Sequence, residues 1–485
     1  MPNLKIQSHR NFLNGRIGNI SNSLLPPGSV TTAKNMHFDK LGLAKLRSGT
    51  TLIGSQISNN YTCLGLYYLQ GSNSQLLAVF SDGTNNDVYY NNAGTWTKIT
   101  GLTDQTKDLK TRFTTFLDQV IVVNGTDIAE AWFGTGTADQ SIGTSANDLN
   151  LDDMDSYKCN LIESFKARVY MAGNSTNPDR LFFSKVVSTT PHITWAPTTD
   201  YVDVGANDGS NITALKKYAY DLLVFKTKFL YRYRGSAGVD PEPLINIGTP
   251  SQEAVVEGKK GVYYFSSDPV GIYVYTGGQP VEISRAVSDF LEAIPSTYFT
   301  TVNGFTEADG DHINFNIGDV TVSGVAWVNV VLRYTISSQV WTVYSYPNEL
   351  RRGVIWDNAT NNVAVVGDSD GNVMTFNSGL TDNGTNIEYD LITRYYELGA
   401  LSESNAINKL SGICEDAQGS ALSFQIDDKE KWNPMGQLRN YVTIFKNTNI
   451  KGHRVRFKLF GTSSVASFTF EGLEIIDSIN KGFQE

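Results

Sequence analysis

The chain has 485 residues, with 39 Lys+Arg against 49 Asp+Glu and a net charge of −10. Charged residues supply 18% and hydrophobic ones 40%, while Gly (43 residues), Asn, Ser and Thr fill the rest and aromatics reach 11%. This profile excludes a disordered chain, a helical bundle or coiled coil, and a small disulfide scaffold, and leaves many short strands joined by Gly/Asn turns.

At about 150 residues per domain, the length predicts three domains, or two when one is a large all-β unit. Residues 1–56 lack sustained periodicity and carry breakers such as Pro26-Pro27-Gly28, Gly42 and Gly49. They read as an extended N-terminal arm with one or two short strands. From residue 57 to 380 the texture repeats. Residues 61–99 hold four short strands separated by turn signals, the size of one propeller blade. Looser copies follow at 112–133, 161–195, 212–234, 254–284, 311–345 and 351–377. Seven units at a spacing of about 46 residues predict a β-propeller of about seven blades, with six or eight as alternatives. One helix is expected, over 286–294, ended by Pro295. Residues 381–485 carry about six longer strands and read as a separate β-sandwich.

Chemistry-bearing patterns are sparse. The five histidines stand singly, so metal-ligand spacing is missing. Neither a nucleophile elbow nor a phosphate-cradling loop occurs. Cys63, Cys159 and Cys414 are widely separated and read as buried thiols. The clusters Asp368-Ser-Asp370-Gly371-Asn372, Asp203/Asn207/Asp208/Asn211 and Asp152-Asp153-Met154-Asp155 have enough oxygens for a loosely held cation. Their ordinary reading is that Asp and Asn close turns, and Asn124-Gly125-Thr126 and Asn174-Ser175-Thr176 read as turns rather than glycan acceptors. The alternating Tyr231-Arg-Tyr-Arg234 reads as a strand with one packed face rather than as a stacking platform. Basic residues such as Lys216-Lys217, Lys259-Lys260 and Arg351-Arg352 come as isolated pairs, which argues against binding a phosphate backbone. The expectation is a non-enzyme without catalytic residues, metal or cofactor. With no apolar leader and no stretch long enough for a membrane span, synthesis in the cytoplasm is expected.

The arm reads Asn11-Phe-Leu-Asn-Gly-Arg16, Leu25-Pro-Pro-Gly-Ser29, Ala33-Lys-Asn-Met36, Leu41-Gly-Leu43 and Lys45-Leu-Arg-Ser-Gly49. This order resembles the opening of tailed-bacteriophage (podophage-like) tail hub, nozzle or stabilisation proteins. Arg168-Val-Tyr-Met-Ala-Gly-Asn174, Arg180-Leu-Phe-Phe-Ser184 and Gly271-Ile-Tyr-Val-Tyr-Thr-Gly-Gly278 also look like blades of that group. The resemblance, over residues 10 to 400, implies a structural virion protein in a homo-oligomeric ring, a hexamer in that family's pattern. It implies portal or adaptor and tail-fibre proteins as partners, and genomic DNA that passes without specific binding. Phe12, Arg16, Leu24, Leu25 and Arg47 are the arm residues expected to wrap a neighbouring subunit. The alternatives are a receptor- or glycan-binding tail protein, with carbohydrate cleavage as its variant, and a non-viral propeller scaffold.

Overall fold

The computed structural model describes residues 7–480 apart from 19, 22–23, 58–60, 103, 140–148, 188–192, 236–238, 399–404, 418, 428 and 464–466. His192 therefore lies outside the described residues.

The repeats fold as seven antiparallel blades. Gly65–Leu69, Gln75–Ser81, Asn86–Asn92 and Thr95–Lys98 form blade 1 from the axis outward. Blade 2 has three strands, beginning at Arg112–Phe116. Blades 3, 4 and 5 start with Leu161–Phe165, Ile212–Tyr218 and Val255–Gly258, and blades 6 and 7 with Asn303–Thr306 and Leu350–Asp357. Each inner strand neighbours the next, and Leu350–Asp357 returns to lie beside Gly65–Leu69, which closes the ring. Apolar residues fill the spaces between blades, for example Leu77, Val79, Val120 and Trp132 between blades 1 and 2. A closed ring protects its strand edges, so short strands suffice.

The hairpin turns share one chemistry. Between the second and third strands of blades 1, 2, 3 and 7, the side-chain oxygens of Asp82, Asn124, Asn174 and Asp368 each accept two backbone N–H bonds of 2.8–3.0 Å from just downstream. Asp368 and both asparagines are buried by these turns, so the turn reading of Asn124, Asn174 and Asp368 holds.

The segment before residue 56 is not an independent arm. Thr50–Leu52 is the outermost strand of blade 7, antiparallel to Val373–Phe376, so the chain's early residues close the propeller against its last blade. Gly49 makes this crossing possible: a Cβ there would lie 1.9 Å from the Thr381 carbonyl oxygen. Gly49→Ala is expected to cost about 2 kcal/mol, as overpacking against backbone does, read as a lower urea midpoint with an unchanged slope.

The remaining early strands enter the sandwich. One of its sheets runs Tyr441–Gly452, Asn405–Glu415, Thr469–Asn480, Ala44–Leu46, Met36–Phe38, with Gln7–His9 added on Thr469–Asn480. The facing layer pairs Ser29–Lys34 with Thr385–Thr393, then Arg454–Ser463, Ala421–Ile426 and Asn433–Gln437. Phe12, Val30, Ala33 and Met36 share one core with Ile387, Leu410, Phe457 and Leu473. The sandwich thus needs the N-terminal residues for part of its core, which is why they do not hang free. Lys34 pairs in parallel with Val343 of blade 6, so sandwich and propeller share a sheet.

The expected helix is present at Ser288–Glu292, with Phe290 and Leu291 buried against blade 6. No helix among the described residues is long and apolar enough to cross a membrane.

Candidate functional site at the propeller axis

Where the inner strands begin, the axis is closed by an ion cluster. A short turn before blade 5, Gln252–Ala254, presents Glu253, whose side chain is 7% exposed. Arg112 donates from Nε to Glu253 Oε1 at 2.9 Å and from Nη2 to Oε2 at 3.3 Å. Lys110 Nζ donates to Glu253 Oε2 at 3.1 Å and to the Thr300 carbonyl at 2.6 Å. Arg352 of blade 7 stands 4.0 Å from Glu253 Oε1. Gln252 meanwhile exchanges bonds of 2.7 and 2.9 Å with the backbone of Leu215 in blade 4. One turn therefore ties blades 2, 4, 5 and 7. Burial alone would raise the Glu253 pKa; Arg112, Arg352 and Lys110 override it and hold the carboxyl far below the usual range. Burial, aided by Arg352 and Arg112, lowers the Lys110 pKa.

A cavity of about 500 Å³ opens beside this cluster, walled by Lys110, Arg112, Asn160, Asn174, Asn211 and neighbours. Another of about 640 Å³ follows the inner strands of blades 1, 4, 5, 6 and 7, past Tyr67, Tyr68, Phe305 and the 3.2 Å Lys216–Glu257 pair. The carboxylate at the closed end is single; a hydrolytic pair of acids is not formed there.

Two other polar centres join parts of the fold. Lys226 Nζ, fully buried, donates to Asp179 (2.8 Å), Asp208 (2.7 Å), and the carbonyls of Val204 (2.9 Å) and Gly205 (3.1 Å). The ammonium occupies the oxygen cage that the Asp203–Asn211 cluster suggested for a cation. Glu307, Asp309 and His312 are close enough to share a metal ion. Both oxygens of Glu307 are already taken, Oε1 by Arg333 Nε (2.5 Å) and Asn314 (3.2 Å), Oε2 by Arg333 Nη2 (3.1 Å) and Asn377 (2.6 Å). A guanidinium that close repels a metal cation, so this group is an ion-pair seam.

The arm candidates land differently from the expectation. Phe12 is in the sandwich core, 5.9 Å from the Phe470 ring, and Leu25 is buried. Arg16 pairs with Asp289 and lies 4.5 Å over the Phe290 ring. Arg47 bridges Asn35, Ser345 and Asp382. Only Leu24, 73% exposed, projects from the chain. Four of the five thus bind their own chain, because sandwich and propeller each lack a strand without them. Tyr231 and Tyr233 are buried in blade 4 and Arg232 pairs with Glu242, as a packed strand requires. Cys63, Cys159 and Cys414 are buried free thiols, with burial pushing Cys63 up to about 12 and Cys414 to about 11. Asp152, Asp153 and Asp155 lie on the short 3-10 helix Leu151–Tyr157.

Of the axial cluster, the sequence marks Arg352 only as half of an isolated basic pair, and 110, 112, 253 and 352 share no motif. The alternation Lys110-Thr-Arg112 at a strand start was the one local signal.

His9 and His37 give the chain a pH response. Burial, then Arg394, lowers His9 to about 4, and burial, then Arg333, His312 and Lys45, lowers His37 to about 3. A depressed folded pKa means the unfolded chain takes protons first. The contribution of these two histidines is therefore full above about pH 6.5 and falls as the pH drops towards 4 for His9 and 3 for His37. His9→Gln, stacked 3.9 Å from Tyr396, is expected to flatten that decline in urea midpoints taken across the window.

No protein-family model and no curated protein sequence matches the chain. Among solved structures it is similar to "YCF48 bound to D1 peptide", with 12% identity and a TM-score of 0.41 over 67% of this chain and 95% of that one. It is also similar to BamB from Moraxella catarrhalis, with 12% identity and a TM-score of 0.37 over 77% of this chain and 99% of that one.

Proposed function

We propose that this chain is a structural virion protein of a phage tail, a hub or nozzle subunit below the portal or adaptor. Copies of it form a ring-shaped conduit for genome ejection and hold other tail parts. The observation that carries this reading is a pair of uncovered apolar surfaces at opposite edges of one sandwich sheet. At one edge, among the described residues, Tyr441–Gly452 pairs only with Asn405–Glu415 and exposes Tyr441 (76%), Val442 and Ile444. At the other edge, the turn joining Met36–Phe38 to Ala44–Leu46 exposes Leu41 (76%), and Leu13 and Leu24 are exposed on the early turns. A long apolar edge strand is a liability in a monomer. Two unlike patches on opposite sides suit head-to-tail contact, which closes into a ring when the rotation permits.

The rest of the fold supports the same role. The shared sheet and the buried Arg47–Asp382 pair tie propeller and sandwich together. The propeller axis is closed by ion pairs, so the passage belongs to the ring rather than to one subunit. A net charge of −10 repels phosphates along a conduit wall.

Native mass spectrometry of the purified chain tests the assembly. A closed ring, a hexamer in the proposed arrangement, is expected, and Val442→Asp should release monomers with an unchanged thermal melt. A monomer at every concentration, or a ring with a strongly basic lumen, overturns the reading.

A further inference from the structure

The closed end of the propeller axis carries more positive charge than its own fold consumes. Lys110, Arg112 and Arg352 converge on one carboxylate, Glu253, leaving two positive charges in excess on a chain whose net charge is −10. Among the residues lining the 500 Å³ cavity, Lys110 and Arg112 are the charged ones, and none is acidic. Asp179, next in sequence to the lining residue Pro178, and Asp208 are both held by Lys226.

Counted over the described residues, donor capacity is also left over. Lys110 has three N–H donors and uses two, on Glu253 and Thr300. Arg112 has five and uses three, on Glu253 twice and on the Asn160 carbonyl at 2.7 Å. Arg112 opens the inner strand Arg112–Phe116 and Lys110 precedes it by two residues, and both reach Glu253 at the axis. Arg112 is only 14% exposed and held bidentately, so the site is rigid before any ligand arrives. Partly buried cations with spare donors, beside a cavity of small-ligand size, are the chemistry that recognises an anion.

We infer that this mouth is a binding site for a small anion bearing a carboxylate or phosphate group, taken by Lys110 and Arg112 with Arg352 behind them. Asn160 and Asn211 line the cavity beside the charged end, and their carboxamides suit the hydroxyls of a sugar acid or sugar phosphate. Glu253 sets the affinity, because it competes with the ligand for the same cations.

Isothermal titration calorimetry of the full chain with inorganic phosphate, glucuronate and neutral glucose tests this. Saturable binding of phosphate or glucuronate, absent for glucose and weakened by salt, is expected; the tighter of the two tells a phosphate ligand from a sugar carboxylate. Lys110→Gln removes a partly exposed side chain without touching a core and should weaken binding about tenfold, the worth of one charge-assisted bond. Glu253→Gln, where it folds, should tighten binding instead. Equal affinity for Lys110→Gln and the natural chain, or no saturable binding of either anion, overturns the site.

Discussion

Arg47→Met is expected to destabilise the protein by about 3–5 kcal/mol, the usual cost of removing one partner of a buried ion pair. Arg47 is 2% exposed and serves three segments at once. Its Nη1 donates to Asp382 at 2.7 Å, its Nε to the Asn35 side chain at 2.9 Å, and its Nη2 to the Ser345 carbonyl at 2.8 Å. The guanidinium also lies 4.0 Å over the Tyr346 ring. Methionine fills the volume but leaves the buried Asp382 carboxylate without its guanidinium and the Ser345 carbonyl without its side-chain donor, while Asn35 Oδ1 keeps only the Ser345 N–H. Because Asn35 and Asp382 border the sandwich while Ser345 ends blade 6, the loss should also split unfolding into two steps. Arg47→Lys restores the charge without the planar fork, and should recover only part of the stability. Urea unfolding followed by tryptophan fluorescence and by far-ultraviolet circular dichroism measures both effects. Coincident, unshifted transitions in Arg47→Met contradict the account.

Glu253→Gln should have an effect of the same order, about 3–5 kcal/mol, for the opposite electrostatic reason. Here the carboxylate is the shared partner, and its neutralisation leaves Arg112, Arg352 and Lys110 repelling one another around the axis. The pH dependence carries the signature. A carboxyl whose folded pKa is depressed stabilises fully above its unfolded value near 4.3, and that contribution is lost as the pH falls. The natural chain should therefore lose stability steeply below pH 4.5 through this group, whereas Glu253→Gln should begin lower and decline less. Parallel pH profiles for the two proteins contradict the cluster's role.

The propeller was readable from sequence because each blade repeats a local grammar. Strands such as Gly261–Ser267 and Val270–Tyr275 are short, aromatic and separated by turn residues, and neighbouring strands pair in sequence order. The helix at Ser288–Glu292 was readable from its apolar spacing and from Pro295. The strands of residues 7–52 were not. Each has two to six residues, too few to establish a period of two, and the partners that tie Gln7–His9, Ser29–Lys34, Ala44–Leu46 and Thr50–Leu52 into the fold lie hundreds of residues away. Thr50–Leu52 pairs with residues 374–376, and no local signal encodes such a match. Arg16 and Arg47 were expected to wrap a neighbouring subunit, and in this structure they pair with Asp289 and Asp382 of the same chain. The axial cluster was hidden for a related reason: four charges, each unremarkable alone, meet only once the ring closes.

The central claim is that the chain is a subunit of an axial ring in a phage tail. Electron cryomicroscopy of particles that carry it, with the chain located by fitting this fold and confirmed by mass spectrometry, tests that claim most directly. The account predicts a closed ring on the tail axis, with the Tyr441–Gly452 edge of each subunit covered by the leucine-bearing turns of the next. Density for the chain in a peripheral fibre, or a ring in which both edges stay bare, contradicts it.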